Sequence, residues 1–152
     1  MAISQLQQAM ATLRLGLAEI QNKETQLDTM ISQFRIQLRR LPRQVVYGST
    51  SLDASLTAMG EIEERLDDAQ VTRRRLLAIK KTATEELAAL ELVKQVDEAR
   101  RALSDLRRTA RASEDDDAAL GEIRRLERFI AEHSKRAEQA ITTDYQERME
   151  LR

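Results

Sequence analysis

The stretch ISQLQQAMATLRLGLAEIQNKETQLDTMISQFRIQLRRL, residues 3–41, decides the fold. Its apolar residues recur at alternating steps of three and four, and Glu24 is the one interruption of the series. They are Ile3, Leu6, Met10, Leu13, Leu17, Ile20, Leu27, Ile31, Phe34, Leu38 and Leu41. Sustained 3.5-residue spacing is typical of a coiled-coil helix. We predict a helix over about 2–41, about 60 Å long, whose apolar residues form a seam for self-association.

The composition favours helices throughout the chain. Of 152 residues, 41% are hydrophobic, 34% are charged and 3% are aromatic, with four Gly and one Pro. Such a chain lacks the turn residues and β-formers of a sandwich or barrel. Cys is absent, which excludes disulfides and thiolate metal sites. No apolar run reaches the roughly 18–20 residues of a membrane span, and the N-terminus resembles no secretory signal. We expect a soluble, cytoplasmic protein.

The rest of the sequence predicts two further helices. Pro42 is expected to end the first helix, because proline cannot donate a backbone hydrogen bond. A connection over 42–51 follows, and Ser51 is a suitable N-cap for a second helix over about 52–111. A tight turn at 112–114 then leads to a third helix over about 115–150.

Together these segments predict a single all-helical domain over 1–152. We expect an all-α fold, an elongated antiparallel coiled coil or helical bundle of three long helices. The second helix, about 60 residues, is the central spine, and short connections place sequential helices antiparallel.

The first helix carries little charge. Residues 2–41 hold eight charged side chains, whereas residues 42–152 hold 43. Leu15 and Ile36 lie opposite the seam, and Met30 lies beside it. This second packing face indicates that the helix also forms a subunit interface. The alternative is a helix inside a monomeric bundle that carries a few surface apolar residues.

Two groups of basic residues are candidate binding sites. A basic tip of Arg35, Arg39, Arg40 and Arg43 precedes the Val-Val-Tyr segment at 45–47. It suits a phosphate, an acidic lipid or an acidic partner. The alternative is that these cations stabilise the helix dipole while residues 45–47 pack over the bundle end.

A basic stripe on the second helix shares one heptad phase. It comprises Arg73, Lys80, Lys94, Arg101 and Arg108. Such a stripe suits a nucleic-acid backbone. Acidic residues are interleaved with it and no aromatic residue is near, so the alternative is a flank paired with carboxylates of a neighbouring helix.

Two weaker candidates have ordinary structural explanations. The acidic residues 114–117 offer oxygen ligands to a divalent cation, but they also suit a helix N-terminus. His133 is the single histidine, and Ile130 stands where a di-iron Glu-x-x-His element requires a glutamate. We therefore expect no enzymatic role, no metal and no cofactor.

The function predicted is that of a non-enzymatic scaffold or adaptor that acts through protein–protein contacts. We expect a homo-oligomer whose number of copies the mixed seam does not select. Two alternatives remain open at this point. One is a nucleic-acid-associated helical protein that uses the basic stripe. The other is a coiled-coil stalk or tip partner of a larger machine, such as a secretion ATPase or RNA polymerase. No small-molecule substrate is expected.

Overall fold

A computed structural model describes residues 3–48, 50–110 and 117–150; side chains are described except at 3, 110, 117 and 140–150. The chain forms three helices, α1 (Ile3–Val46), α2 (Leu52–Ala110) and α3 (Asp117–Glu150). No strand occurs within these described ranges. The predicted all-α fold of three long helices is confirmed, while supercoiling of the helices stays a prediction.

The end of the first helix differs from the prediction. α1 continues through Pro42 and ends at Val46, so the predicted boundary at residue 41 was wrong. Proline fixes φ near the helical value, and its main defect is the hydrogen bond that its nitrogen cannot donate. α1 lacks only that hydrogen bond at Pro42, and it continues for four more residues to Val46.

A glycine cap turns the chain after α1. The Tyr47 N–H donates to the Arg43 carbonyl and the Gly48 N–H to the Val45 carbonyl, both at 3.0 Å. Gly48 has a φ of 73°, the left-handed conformation that commonly follows a helix C-terminus. The last carbonyls of α1 are thus partly satisfied by the turn itself.

Ser51 caps the start of α2, as predicted. Its Oγ accepts a hydrogen bond from the Ala54 N–H at 3.4 Å, and the Ser55 N–H donates to the Ser51 carbonyl at 3.0 Å. α2 then runs for 59 residues without interruption. The predicted turn at 112–114 and the predicted start of the third helix at 115 lie outside the described residues.

The chain divides into two compact units. The first, here called the terminal unit, comprises residues 1–14 and 84–152. One core cluster there joins the start of α1 to α2 through Leu6, Met10 and Leu90. The ion pair of Arg107 and Glu127, 2.6 Å apart, joins α2 to α3. Further along α2 and α3, Val96, Ala99, Leu103 and Ala137 are buried.

The second unit, here called the hairpin unit, comprises residues 15–83. It is an antiparallel pair of helices, the C-terminal part of α1 and the N-terminal part of α2. Its core cluster consists of Leu27, Ile31 and Ala69. Phe34, Leu66 and Leu76 pack around this cluster and are half-buried. The core is therefore a narrow apolar strip, which is what two helices without a third layer can bury.

The predicted seam lies on the buried side of α1. Every seam residue from Leu6 to Leu41 is buried or half-buried; the side chain of Ile3 is outside the description. The seam was predicted to serve self-association between copies, and the structure shows a different packing partner. It packs against α2 of the same chain in both units, because the short connection at 47–51 brings α2 back along α1.

Candidate functional site

A layer of four charged side chains interrupts the core of the hairpin unit. The Lys80 Nζ donates a hydrogen bond to the Glu24 carboxylate at 2.9 Å. The Arg73 guanidinium lies 3.7 Å from Glu24 and donates its Nε–H to Asp28 at 2.6 Å. Only 14% of the Glu24 side chain is exposed. We call Glu24, Asp28, Arg73 and Lys80 the charged layer.

The charged layer explains two irregularities in the sequence pattern. Glu24 occupies a seam position of α1, and Arg73 lies one heptad after the packed residue Leu66 of α2. Lys80 lies one heptad further on. The apolar pattern of α2 therefore breaks near Arg73 because cations stand at positions that face Glu24. Glu24 and the two cations were treated separately in the sequence analysis; opposite charges in seam phase on sequential antiparallel helices were the signal that pairs them.

The basic stripe does not present free cations. Arg73 and Lys80 pair with carboxylates of α1, as just described. The other three pair within α2: Lys94 with Glu98, Arg101 with Asp97, and Arg108 with Asp105. Their separations are 3.8, 3.4 and 3.9 Å respectively. The alternative of a flank paired with a neighbouring helix describes Arg73 and Lys80 only, whose partners lie on α1. The other three cations pair within α2 itself.

A polar surface groove lies on the described part of each unit. The groove of the hairpin unit, about 570 Å³, borders the charged layer and is lined by Asp28, Ile31, Arg35, Asp67, Gln70, Arg73 and Arg74. The groove of the terminal unit, about 390 Å³, is lined by Arg100, Leu103, Ser104, Arg107 and Arg108. Arg107 and Arg108 have ion-pair partners, so the second groove offers less positive charge than its residues suggest.

The second packing face is exposed. Leu15 is 74% exposed, and Met30 and Ile36 are exposed as well. All three lie on the part of α1 that belongs to the hairpin unit. Since the seam on the other side of the helix already packs on α2, these three side chains, like Val46 at the helix end, are apolar surface of α1 that remains uncovered.

The basic tip is exposed together with its apolar neighbours. Arg35, Arg39, Arg40 and Arg43 are exposed, and none of them forms an ion pair with the described part of the chain. The alternative that residues 45–47 pack over the bundle end was wrong for two of the three. Val45 is half-buried, but Val46 and Tyr47 are 80% and 83% exposed, because α1 carries them beyond Pro42.

His133 is packed against an aromatic ring. Its imidazole lies 4.6 Å from the ring of Phe129, centroid to centroid, and the two planes are tilted by 54°. Its buried Nδ1 has no hydrogen-bond partner among the described residues. In those residues no three acidic, histidine or cysteine side chains are grouped to hold a metal. The acidic residues 114–116 lie outside the described ranges.

Two polar groups were missed by the sequence reasoning. Ser55, on α2, is 3% exposed and its Oγ has no partner among the described residues. On α3, the Arg125 Nε–H donates to the Glu122 carboxylate at 3.1 Å. This hydrogen bond lowers the pKa of Glu122 below its ordinary value, and the positive charge of Arg125 acts in the same direction. The i,i+3 spacing of Glu122 and Arg125 was a usable signal; nothing in the sequence marks Ser55.

Comparison of the chain with protein families, with curated proteins and with solved structures finds no match. Among the described residues, no helix is both long enough and apolar enough to cross a membrane. Functional inference therefore depends on the surfaces of the molecule.

Proposed function

We propose that the protein is a non-enzymatic, self-associating scaffold or adaptor that acts through protein–protein contacts. The observation that carries this proposal is the exposed face of Leu15, Met30 and Ile36 on a helix with little charge. The bundle's own seam is occupied within the chain, so a second copy would use this opposite face.

The pattern of charge on α1 supports the same interface. Leu15 and Ile36 are three heptads apart, and the residues that share their heptad phase between them are Asn22 and Thr29. A strip of this kind has apolar ends and an uncharged polar middle. The strip itself carries no charge, and the charged residues one helical turn from its apolar ends are Glu19, Arg39 and Arg40. A second copy that covers the strip therefore has few charges to desolvate, which lowers a large cost of burying a helix face.

The charged layer supports a structural role rather than a catalytic one. Its carboxylates are matched by cations at 2.6 and 2.9 Å. Paired charges in a helix seam favour one register, since a slipped register would leave Glu24 opposite apolar side chains. The layer would hold the α1–α2 pair in the alignment that presents the exposed face.

The pairing of the basic stripe favours this proposal over nucleic-acid association. A phosphate backbone would have to displace carboxylates from all five cations, and each displacement lowers the gain from phosphate binding. Scaffolding by the exposed α1 face requires no such exchange.

Size-exclusion chromatography with multi-angle light scattering tests the proposal. The full chain is measured at about 50 and about 500 mM salt, conditions that differ strongly in screening length. We expect a mass above that of one chain at both salts, because an apolar interface is insensitive to screening. The Leu15→Gln, Ile36→Gln double variant should shift the mass toward one chain.

The matched control is Leu120→Gln, which changes an exposed leucine of α3 in the terminal unit. It should keep the native mass. A native chain that is monomeric at both salts would refute self-association. An assembly that dissociates at high salt would assign the interface to charged surfaces instead.

A further inference from the structure

The tip of the hairpin unit exposes four large apolar side chains at the end of the helix pair. Val46 ends α1 and Tyr47 follows it in the turn, while Leu52 and Leu56 lie at the start of α2. Val46 and Tyr47 are more than three-quarters exposed, and the two leucines are more than half exposed. Four exposed large apolar side chains within eleven residues are a higher concentration than the single, scattered apolar residues normal on a protein surface. We call residues 39–48 and 50–56 the hairpin tip.

The hairpin tip is also positively charged. It contains Arg39, Arg40 and Arg43 and a single acidic residue, Asp53, which gives a net charge of +2, and the next acidic residues of α2 begin at Glu61. The three arginines have no carboxylate partner in the described part of the chain, unlike the cations of the basic stripe. Positive charge that is unpaired within the chain remains available to an anionic partner.

The local backbone projects this patch outward. α1 continues past Pro42 to Val46, and Tyr47 follows directly in the turn. The left-handed Gly48 then turns the chain, and an added Cβ at this glycine would find no atom within 4 Å. Ser51 caps α2 directly afterwards. Both helix ends at the turn are therefore capped, and the side chains of Tyr47, Thr50 and Ser51 are exposed.

We propose that the hairpin tip docks on an anionic phospholipid surface. Apolar side chains at a helical tip enter the boundary between headgroups and acyl chains, where the amphipathic ring of Tyr47 is favoured. Arginine side chains lay their stems along the apolar surface and place their guanidinium groups on lipid phosphates. Anionic lipid adds attraction for each arginine near the surface.

A lipid surface suits the tip better than a protein groove for one reason. The open turn and the outward side chains need only a deformable apolar layer under a layer of phosphates. A protein partner would need a groove with an acidic rim shaped to this tip. The proposal concerns the end of the helix pair and is independent of self-association through the opposite face of α1.

Vesicle binding tests this proposal directly. The full chain is sedimented with vesicles of phosphatidylcholine alone and of phosphatidylcholine mixed with phosphatidylserine. We expect binding to the mixed vesicles, weakened by high salt, and little binding to phosphatidylcholine alone. The chain has no Trp, so a Tyr47→Trp variant adds a single reporter whose emission should shift to the blue on the mixed vesicles.

Two tip variants separate the contributions of charge and apolar surface. The Arg39→Gln, Arg43→Gln variant should weaken binding by at least about tenfold, since each arginine near an anionic surface contributes on the order of 1 kcal/mol. The Val46→Ser, Leu52→Ser variant should weaken it and leave the salt dependence in place. Both change exposed residues, and circular dichroism should show unchanged helix content.

The control variants make the same kinds of substitution, Arg→Gln and a Trp reporter, at positions outside the hairpin tip. Arg74→Gln with Arg75→Gln removes two exposed α2 arginines of the hairpin unit, and Ile79→Trp places the reporter at an exposed α2 position outside the tip. We expect the Arg74→Gln, Arg75→Gln variant to bind the mixed vesicles like the native chain. The emission of the Ile79→Trp variant should not shift on those vesicles. The proposal is overturned if the native chain does not bind the mixed vesicles, a result that would favour an acidic protein partner. It is also overturned if the tip variants bind the mixed vesicles like the native chain.

Discussion

Glu24 of α1 and Lys80 of α2 form a hydrogen-bonded ion pair, 2.9 Å from Nζ to Oε2, at positions where the two helices otherwise bury apolar side chains. The carboxylate is 14% exposed and the ammonium side chain 36% exposed. The pair is thus more shielded from water than the surface pairs of this protein. Its geometry makes it the strongest candidate for a charge interaction that stabilises the fold.

A double-mutant cycle with Glu24→Gln and Lys80→Met measures that interaction. We expect a coupling of about 1 kcal/mol in the free energy of unfolding, since partial burial strengthens a charged hydrogen bond and its desolvation offsets part of the gain. Urea denaturation of the four proteins gives the value.

The control cycle uses the exposed pair of Arg14 and Glu91, which is 3.5 Å apart with side chains 58% and 46% exposed. Exposed pairs contribute roughly 0–1 kcal/mol, and the longer distance places this one near the lower end. Equal coupling in the two cycles would contradict a special role for the charged layer.

Gly48 should resist substitution although there is space for a side chain. A Cβ at this position meets no atom within 4 Å, so the expected cost comes from the left-handed backbone alone. Gly48→Ala should lower the free energy of unfolding by about 1 kcal/mol.

Gly60→Ala is the matched control for that substitution. Gly60 lies inside α2, also with no atom within 4 Å of an added Cβ, and it does not have a positive φ. Here alanine should stabilise the protein by roughly 0.5–1 kcal/mol. Changes of the same sign at the two glycines would show that the turn does not depend on left-handed geometry.

Removing the Ser55 hydroxyl should stabilise the protein. The Oγ is buried and has no hydrogen-bond partner among the described residues. Ser55→Ala should raise the free energy of unfolding by about 1 kcal/mol, because an unsatisfied buried polar group is destabilising. Ser104→Ala, an exposed serine of α2, corrects for the difference in helix propensity. A loss of stability beyond that control would mean that the hydroxyl has a partner, such as a bound water.

The fold followed from the sequence because its main signals are local and repeated. Heptad spacing placed the buried side of α1, and Ser51 marked the start of α2 where the structure has it. The end of α1 did not follow, because a proline near a helix end removes one hydrogen bond without preventing the rest. The residue that follows the helix end in a left-handed conformation is Gly48, six residues after Pro42, and the predicted connection over 42–51 had included it.

The candidate sites followed less well, because they depend on contacts between distant residues. The sequence showed the basic stripe, but the pairing of Lys80 with a carboxylate 56 positions earlier requires the register of two helices. It also showed the basic tip, but the exposure of Val46 and Tyr47 depends on where α1 ends. The pattern within one helix shows which side of that helix is buried. It does not show which charged residue of another helix lies opposite a given charge.

Pro42 should limit the stability of the end of α1. Its nitrogen cannot donate to the Leu38 carbonyl, and its ring crowds that carbonyl. Pro42→Ala should raise the free energy of unfolding by roughly 1–3 kcal/mol, less than the full interior penalty where the helix end can relax. Amide hydrogen exchange at residues 43–46 should slow in the variant. Gln44→Ala, a nearby exposed position, should change both quantities little, and equal effects of the two substitutions would contradict a proline defect.

Glu122 should titrate at a lower pH than it does without its arginine. The hydrogen bond from Arg125 favours the ionised carboxylate, and the pKa of Glu122 is lowered accordingly. Since the folded-state pKa lies below the unfolded value, the stabilisation is present above the unfolded pKa and is lost as the pH falls through the folded pKa. Carbon-detected NMR of the Glu122 carboxyl should show the titration midpoint rise in Arg125→Gln. It should stay unchanged in Arg128→Gln, which removes an exposed arginine one helical turn further along α3. An unchanged midpoint in Arg125→Gln would show that the pair on α3 does not persist in solution.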